Sequence, residues 1–255
     1  MLPVSDENLP IQRRPIVNIT LISLNIIVFL VGIIAPYLLV PGANSYNDVI
    51  ESLGLKPANI IAGAALWTLI TSMFLHAGWI HLLGNMLYLY IFGDNVENLM
   101  GPVKYLVFYI VAGLGATLFH VFSLLFVPTD ALLNTQLTSG MNPWMIPAIG
   151  ASGAISGVLG VYALTMPFAR VRAVTFIGLI PIPLDFPAVV YIGIWFAYQL
   201  LLGISTLLTG TLYGVAFWAH IGGFVTGIAL FPLFVDKQKL KIYRTWVLHW
   251  LYRYY

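Results

Sequence analysis

Cysteine is absent from this 255-residue chain, and Asp, Glu, Lys and Arg together make up only 8% of it. The first absence excludes disulfides, thiolate catalysis and Cys-ligated metals. The second excludes a water-facing surface. Soluble domains carry about a quarter charged residues, whereas this chain is 60% hydrophobic, so its solvent is lipid. No stretch alternates apolar and polar residues as a membrane barrel strand does, and no internal repeat of transporter type is present. The one spanning structure left is the α-helix, which satisfies its own backbone in hydrocarbon. The formal charge of +2 is unremarkable; the placement of the charges informs.

Apolar runs predict six membrane helices, at 16–35, 73–92, 104–127, 146–167, 188–208 and 212–235. Each is long enough to cross about 30 Å of hydrocarbon. None contains Asp or Glu within these limits, and Lys104 sits at an end where it can snorkel. The first run is followed by Pro36 rather than a small-x-small site, so no cleavable signal peptide is expected. Arg13, Arg14, Lys104, Arg170, Arg172, Lys237, Lys239, Lys241, Arg244 and Arg253 fall on one side, and Lys56 alone on the other. The positive-inside rule then puts both termini in the cytoplasm. The connections 36–72 and 128–145 are broken by Pro41, Pro57, Pro128 and Pro143; the first is expected to lie partly in the interface. After Asp236 the tail is basic and aromatic. It reads equally as an amphipathic helix on the inner leaflet or as a solvated tail.

Polar groups inside lipid are expensive and point to function. His81 and Asn85 share a face of the second helix at i, i+4. Ser152 lies near the start of the fourth, in Gly150-Ala151-Ser152-Gly153, and His220 lies in the sixth, in Ala219-His220-Ile221-Gly222-Gly223. At 1.5 Å per residue all three helices place these side chains roughly 10–12 Å below the outer surface. Gly153, Gly157 and Gly160 on one helix and Gly223 and Gly227 on the other allow close backbone approach. Taken singly, an intramembrane serine back-bonds its own helix and an intramembrane histidine packs. Together, at one depth, they suit a nucleophile and its general base. With no acid inside the predicted limits the pair is a dyad. The backbone N–H of Ser152 and the side chains of Asn85 and His81 are the candidate oxyanion donors.

Those residues resemble the signature of the rhomboid family of intramembrane serine proteases. The stretch from Trp67 through His76 and His81 to Asn85 is similar to the end of the rhomboid first loop and its second helix. Phe92-Gly-Asp-Asn-Val-Glu97 with Gly101 resembles the inner turn. Gly150 to Gly160 resembles the nucleophile helix, and Ala219 to Gly223 with Gly227 the histidine helix. The resemblance runs from about residue 50 to 232. It implies an all-α, polytopic, six-helix bundle that cleaves transmembrane substrates near the outer leaflet. It also implies a mobile fifth helix, with Trp195 and Gln199 near its gate, and a capping loop at about 204–216.

Two departures stand out. Thr68 follows Trp67 where the family often has arginine. Ser156 stands four residues after the nucleophile, where some members place an aromatic ring on the histidine. That leaves a hydrogen bond from Ser156, or packing on glycine, to orient His220. Glu97 reads as structural, and His76 as a ligand of the loop or of a lipid headgroup. His120 and His249 receive no role. The expected organisation is a cytoplasmic segment 1–15, the protease domain 16–235 and the tail 236–255, in a prokaryotic inner membrane. No cofactor, metal or nucleic-acid partner is expected, and the oligomeric state is open. The rival reading is a catalytically silent relative acting as a membrane-protein binding or quality-control factor; such relatives lack the serine or the histidine. A channel or transporter lacks its mid-membrane charges here. A zinc protease lacks His-Glu-x-x-His, and an aspartyl protease lacks its two membrane aspartates.

Overall fold

A computed structural model describes residues 1–7, 13–140, 142–178, 180–209 and 214–254. The long helices are α1 (Ile16–Ile34), α2 (Tyr46–Leu53), α3 (Trp79–Met100), α4 (Pro102–Ser123), α5 (Thr129–Ser139), α6 (Ser152–Thr165), α7 (Ala188–Thr209), α8 (Phe217–Phe234) and α9 (Lys237–Tyr254). Four described stretches are long and apolar enough to cross a membrane: Ile16–Ile34, Pro102–Phe126, Ala188–Thr209 and Phe217–Phe234. Helix α6 is apolar but has only 14 residues.

The helix limits differ from the expectation in three places. Helix α3 begins six residues later, at Trp79, and runs to Met100. Residues 92–97, expected as an inner turn, are therefore helical, and the reversal into α4 falls at Gly101, at φ 83°. Asp94 and Glu97 consequently belong to the helix rather than to a turn. Helix α6 begins at Ser152 instead of 146, because the chain before it is held extended by a bridge between Leu55 and Ala148. Helix α8 opens at Phe217; residues 210–213 of the expected capping loop lie outside the described residues.

The helical reading also needs one addition. Strands β1 (Leu2–Asp6), β2 (Arg170–Ile177) and β3 (Ile180–Pro187) form an antiparallel sheet in the order β1-β2-β3. Pro181, Pro183 and Pro187 alternate along β3, which is an edge strand. Proline is tolerated there because no further strand needs the missing N–H, and it blocks pairing with another chain. Residues 2–6, expected as part of a separate terminal segment, are thus built into the fold.

Helix α8 packs between α4 and α6. A methyl on Gly223 would overlap the carbonyl oxygen of Gly153, and one on Gly227 that of Gly157. The expected glycine faces are where these two backbones meet, and this approach brings Ser152 and His220 together. Around it, Phe29, Phe92, Tyr105, Phe108, Tyr109 and Tyr162 are fully buried. In lipid such rings hold helices by dispersion and shape rather than by exclusion of water.

The end of the bundle away from Ser152 is tied by polar bonds. Glu97 accepts the N–H groups of Val17 (3.1 Å) and Asn18 (2.7 Å), capping α1. Asn18 donates to the Leu89 carbonyl at 2.9 Å and accepts from the Tyr105 hydroxyl at 2.8 Å. Asp6 accepts from Tyr162 on α6 and from Asn95 on α3. The first loop is held by Thr68 and Thr71, which donate to the carbonyls of Ala65 and Leu53, both at 2.7 Å. Thr68, which stands where the family often has arginine, bonds only within its own turn; the bond across the loop is made by Thr71.

Candidate active site

Ser152 is the first residue of α6, so its backbone N–H is one of the helix-start donors with no partner inside the helix. His220 is in the first turn of α8, one helix away. Ser152 Oγ and His220 Nε2 are 2.7 Å apart, a full hydrogen bond between side chains 68 residues apart in sequence. Ser156 does not orient the imidazole. Its hydroxyl donates to the Ser152 carbonyl at 2.6 Å, back-bonding its own helix. The contacts come from α7 instead: Gln199 Oε1 lies 2.8 Å from His220 Nδ1, and the Trp195 ring stands 6.0 Å away, tilted by 36°. Both the serine bond and the glutamine bond exploit a ring nitrogen, so neither can also be held by Ser156.

The candidate oxyanion donors converge on the same place. His81 Nδ1 accepts the N–H of Ala77 at 3.2 Å. A neutral imidazole with an accepting Nδ1 carries its proton on Nε2. That nitrogen faces Gly150, which adopts φ 127°, a left-handed value natural to glycine. A Cβ there would lie 2.9 Å from His81 Nε2 and 3.5 Å from Ser152 Oγ. The missing side chain leaves a space flanked by donor and nucleophile at once. Asn85 is 8% exposed and its Nδ2 has no hydrogen-bond partner, an arrangement that costs free energy unless something arrives to accept.

Ser152, His220, Asn85 and His81 all line one cavity of about 870 Å³, mostly walled by apolar side chains; His120 lines it as well. The cavity opens beside both Ser152 and His220, so a molecule that enters it meets the two side chains together. His76, read as a possible headgroup ligand, is wholly buried and cannot reach one; its ring lies edge-on to His81 at 5.1 Å. The side chain of His249 falls outside the described residues. Among the described residues no cluster of His, Asp and Glu suits a metal ion.

Residues 63–237, more than two thirds of the chain, match the Rhomboid domain family. The chain belongs to the rhomboid family. It is an integral membrane protein with the family's helical-bundle fold. Among its relatives, the rhomboid protease AarA of Providencia stuartii is 29% identical over 230 residues, covering 88% of this chain and 75% of AarA. RHOMBOID-like protein 6, mitochondrial, of Arabidopsis thaliana is 28% identical over 195 residues, 76% of this chain and 52% of the plant protein. The rhomboid protease GluP of Bacillus subtilis (strain 168) is 29% identical over 147 residues, 58% of this chain and 24% of GluP. The chain thus spans three quarters of AarA but only about half and a quarter of the other two.

The sequence pattern singled out Ser152, His220, His81 and Asn85, and all four face the one cavity. The residue whose role it missed is Gln199. A lone amide in an apolar helix is a visible signal, but its target lies 21 residues away on another helix.

Proposed function

We propose that this chain hydrolyses peptide bonds of transmembrane segments, with Ser152 as nucleophile and His220 as general base. At the coarse level it is a serine protease of the rhomboid family. The observation that carries the finer reading is the 2.7 Å bond from Ser152 Oγ to His220 Nε2. Oγ attacks the carbonyl carbon as its proton passes to Nε2, and the carbonyl π electrons move onto oxygen. The oxyanion is met by the Ser152 N–H, the Asn85 amide and His81 Nε2–H. Collapse breaks the C–N bond, and the leaving amine takes the proton from His220. Water then attacks the acyl ester by the same route and regenerates Ser152.

Six helices, α1, α3, α4, α6, α7 and α8, cross the membrane in this reading, with both termini on the side rich in Lys and Arg. Helix α6, with 14 residues, is about 21 Å long in a hydrocarbon layer of about 30 Å. With Thr165 at the inner interface, Ser152 lies on the order of 10 Å below the outer one. Substrates are therefore cut near the outer leaflet, and the membrane proposed is a prokaryotic inner membrane. The domain division in this reading is 16–235 with flanks 1–15 and 236–255, and residues 2–6 of the first flank pair with β2 of the domain. A silent binding relative is disfavoured by a serine and a histidine already in bonding contact.

The test is labelling by a fluorophosphonate in detergent, paired with cleavage of a model transmembrane substrate. Wild type should label at Ser152 and cleave; folded Ser152→Ala should do neither. Cleavage retained by folded Ser152→Ala would sink the proposal.

A further inference from the structure

We infer that Gln199 is a positioning residue that sets the tautomer of His220, so that base competence depends on the seating of α7. The inference rests on the dyad reading above. A neutral imidazole carries one proton, on Nδ1 or on Nε2. Only with the proton on Nδ1 can Nε2 accept from Ser152. The choice is made by what faces Nδ1, and that is the Gln199 amide oxygen at 2.8 Å. The oxygen accepts Nδ1–H, which leaves the Nε2 lone pair aimed at Oγ 2.7 Å away. When His220 takes the serine proton, the same oxygen receives a hydrogen bond from a cation, a stronger bond than in the resting state. The contact therefore favours the transition state over the ground state.

The burial of the amide supports a bonded role. Gln199 is 5% exposed, and burying an amide in an apolar seam is costly unless it is bonded. The seam itself is otherwise built for packing. Phe196 stacks on Phe224 at 4.2 Å, and Trp218 Nε1 donates to the Gly203 carbonyl at 2.9 Å. Positions 196, 199 and 203 share one face of α7, so Gln199 sits between an aromatic stack and a backbone bond that fix its height against His220. A carboxylate in this place would do the same work with a full charge; an amide does it without burying a second ion in the membrane. Ser152 sits on α6 and His220 on α8, whereas the acceptor belongs to a third helix. Displacing α7 by about an ångström lengthens the bond beyond hydrogen-bonding range and frees the imidazole to turn.

The test uses Gln199→Met, of similar length without the amide acceptor, and Gln199→Glu, which restores an acceptor. Gln199→Met should lower kcat and the fluorophosphonate labelling rate together by roughly 10- to 100-fold, with KM near wild type. Gln199→Glu should recover most of that loss, with the rise of rate with pH displaced to higher pH by the added negative charge. The imidazole ¹⁵N spectrum of the intact protein in micelles should give the Nδ1–H tautomer for wild-type His220 and a mixture for Gln199→Met. That readout needs no turnover, so it tests the positioning even if cleavage is absent. A variant unchanged in kcat at matched thermal stability, or an Nε2–H tautomer in wild type, overturns the inference. Failure of wild type to label at Ser152 overturns the dyad reading instead.

Discussion

The two ends of the helix bundle differ in the polar groups they bury apart from the hydrogen-bonded Ser152, His220 and Gln199. Away from Ser152, Glu97, Asn18, Asn95 and Asp6 are matched donor to acceptor, and each bond joins elements distant in sequence. At the Ser152 end, Asn85 keeps an unpartnered Nδ2 beside a cavity, and His76 buries two ring nitrogens without a hydrogen bond. Polar groups in a low-dielectric interior hold structure when paired. Left unpaired at a cavity, they store affinity for whatever enters. The contrast separates residues whose loss should unfold the protein from residues whose loss should leave it folded and slow.

The largest effect that can break this comparison is at the site. His220→Ala should lower kcat on the order of 10⁴–10⁶-fold and abolish probe labelling, with a thermal midpoint in detergent close to wild type. A collapse of stability in place of activity would move His220 into the structural class. Next comes Asn85→Ala, expected to lower kcat on the order of 10²–10³-fold while KM changes little. An unchanged kcat in the folded variant would take Asn85 off the oxyanion.

Glu97→Ala should behave the other way round. It removes a carboxylate shared by two N–H groups at the start of α1, so stability should fall by about 1–3 kcal/mol. The kcat of the protein that remains folded should be near wild type, as measured by active-site titration. A kinetic defect at full stability would contradict the division between the two ends.

The next test concerns acid. Burial pushes the Asp6 carboxyl from 3.8 up to about 7, with Asp94 adding repulsion and the bonds from Tyr162 and Asn95 opposing. The folded state then binds a proton that the unfolded chain has already lost. Stability should therefore be greatest below the unfolded value and fall as pH rises through the window from 3.8 to about 7. Asp6→Asn should flatten the thermal midpoint across that window; an identical slope in both proteins would refute the assignment. The smallest expected effect is none at all: EDTA or phenanthroline should leave cleavage unchanged, and loss restored by added zinc would reject the serine mechanism.

Helix content and the identity of the odd polar residues were legible because both are local. Hydropathy over some 20 residues marks a span, and Ser152, His220, His81 and Asn85 stand out against an apolar background. The glycines predicted which helices meet, since a missing Cβ matters only where another backbone lies against it. Helix ends were less legible. Residues 73–78 and 146–151 are as apolar as the helices that follow, yet 73–74 close a 3-10 turn, 75–78 form a loop ending at Gly78, and 146–151 are held by the Leu55–Ala148 bridge. Asp94 and Glu97 fell in a stretch that resembles the family's inner turn; here the helix runs through them, and Glu97 reaches the start of α1.

The amino-acid sequence by itself determined that this chain lives in lipid, that it is helical, and that one serine and one histidine could meet at one depth. Those follow from transfer free energies and from a fixed rise per residue. Only the tertiary structure decided what orients the histidine, what caps α1, and that residues 2–6, 170–177 and 180–187 pair as a sheet. Each of these depends on which side chain fills the space beside another, and the partners are separated by 21, 79 and more than 160 residues. Periodicity along the chain carries no record of such distances; packing in three dimensions sets them.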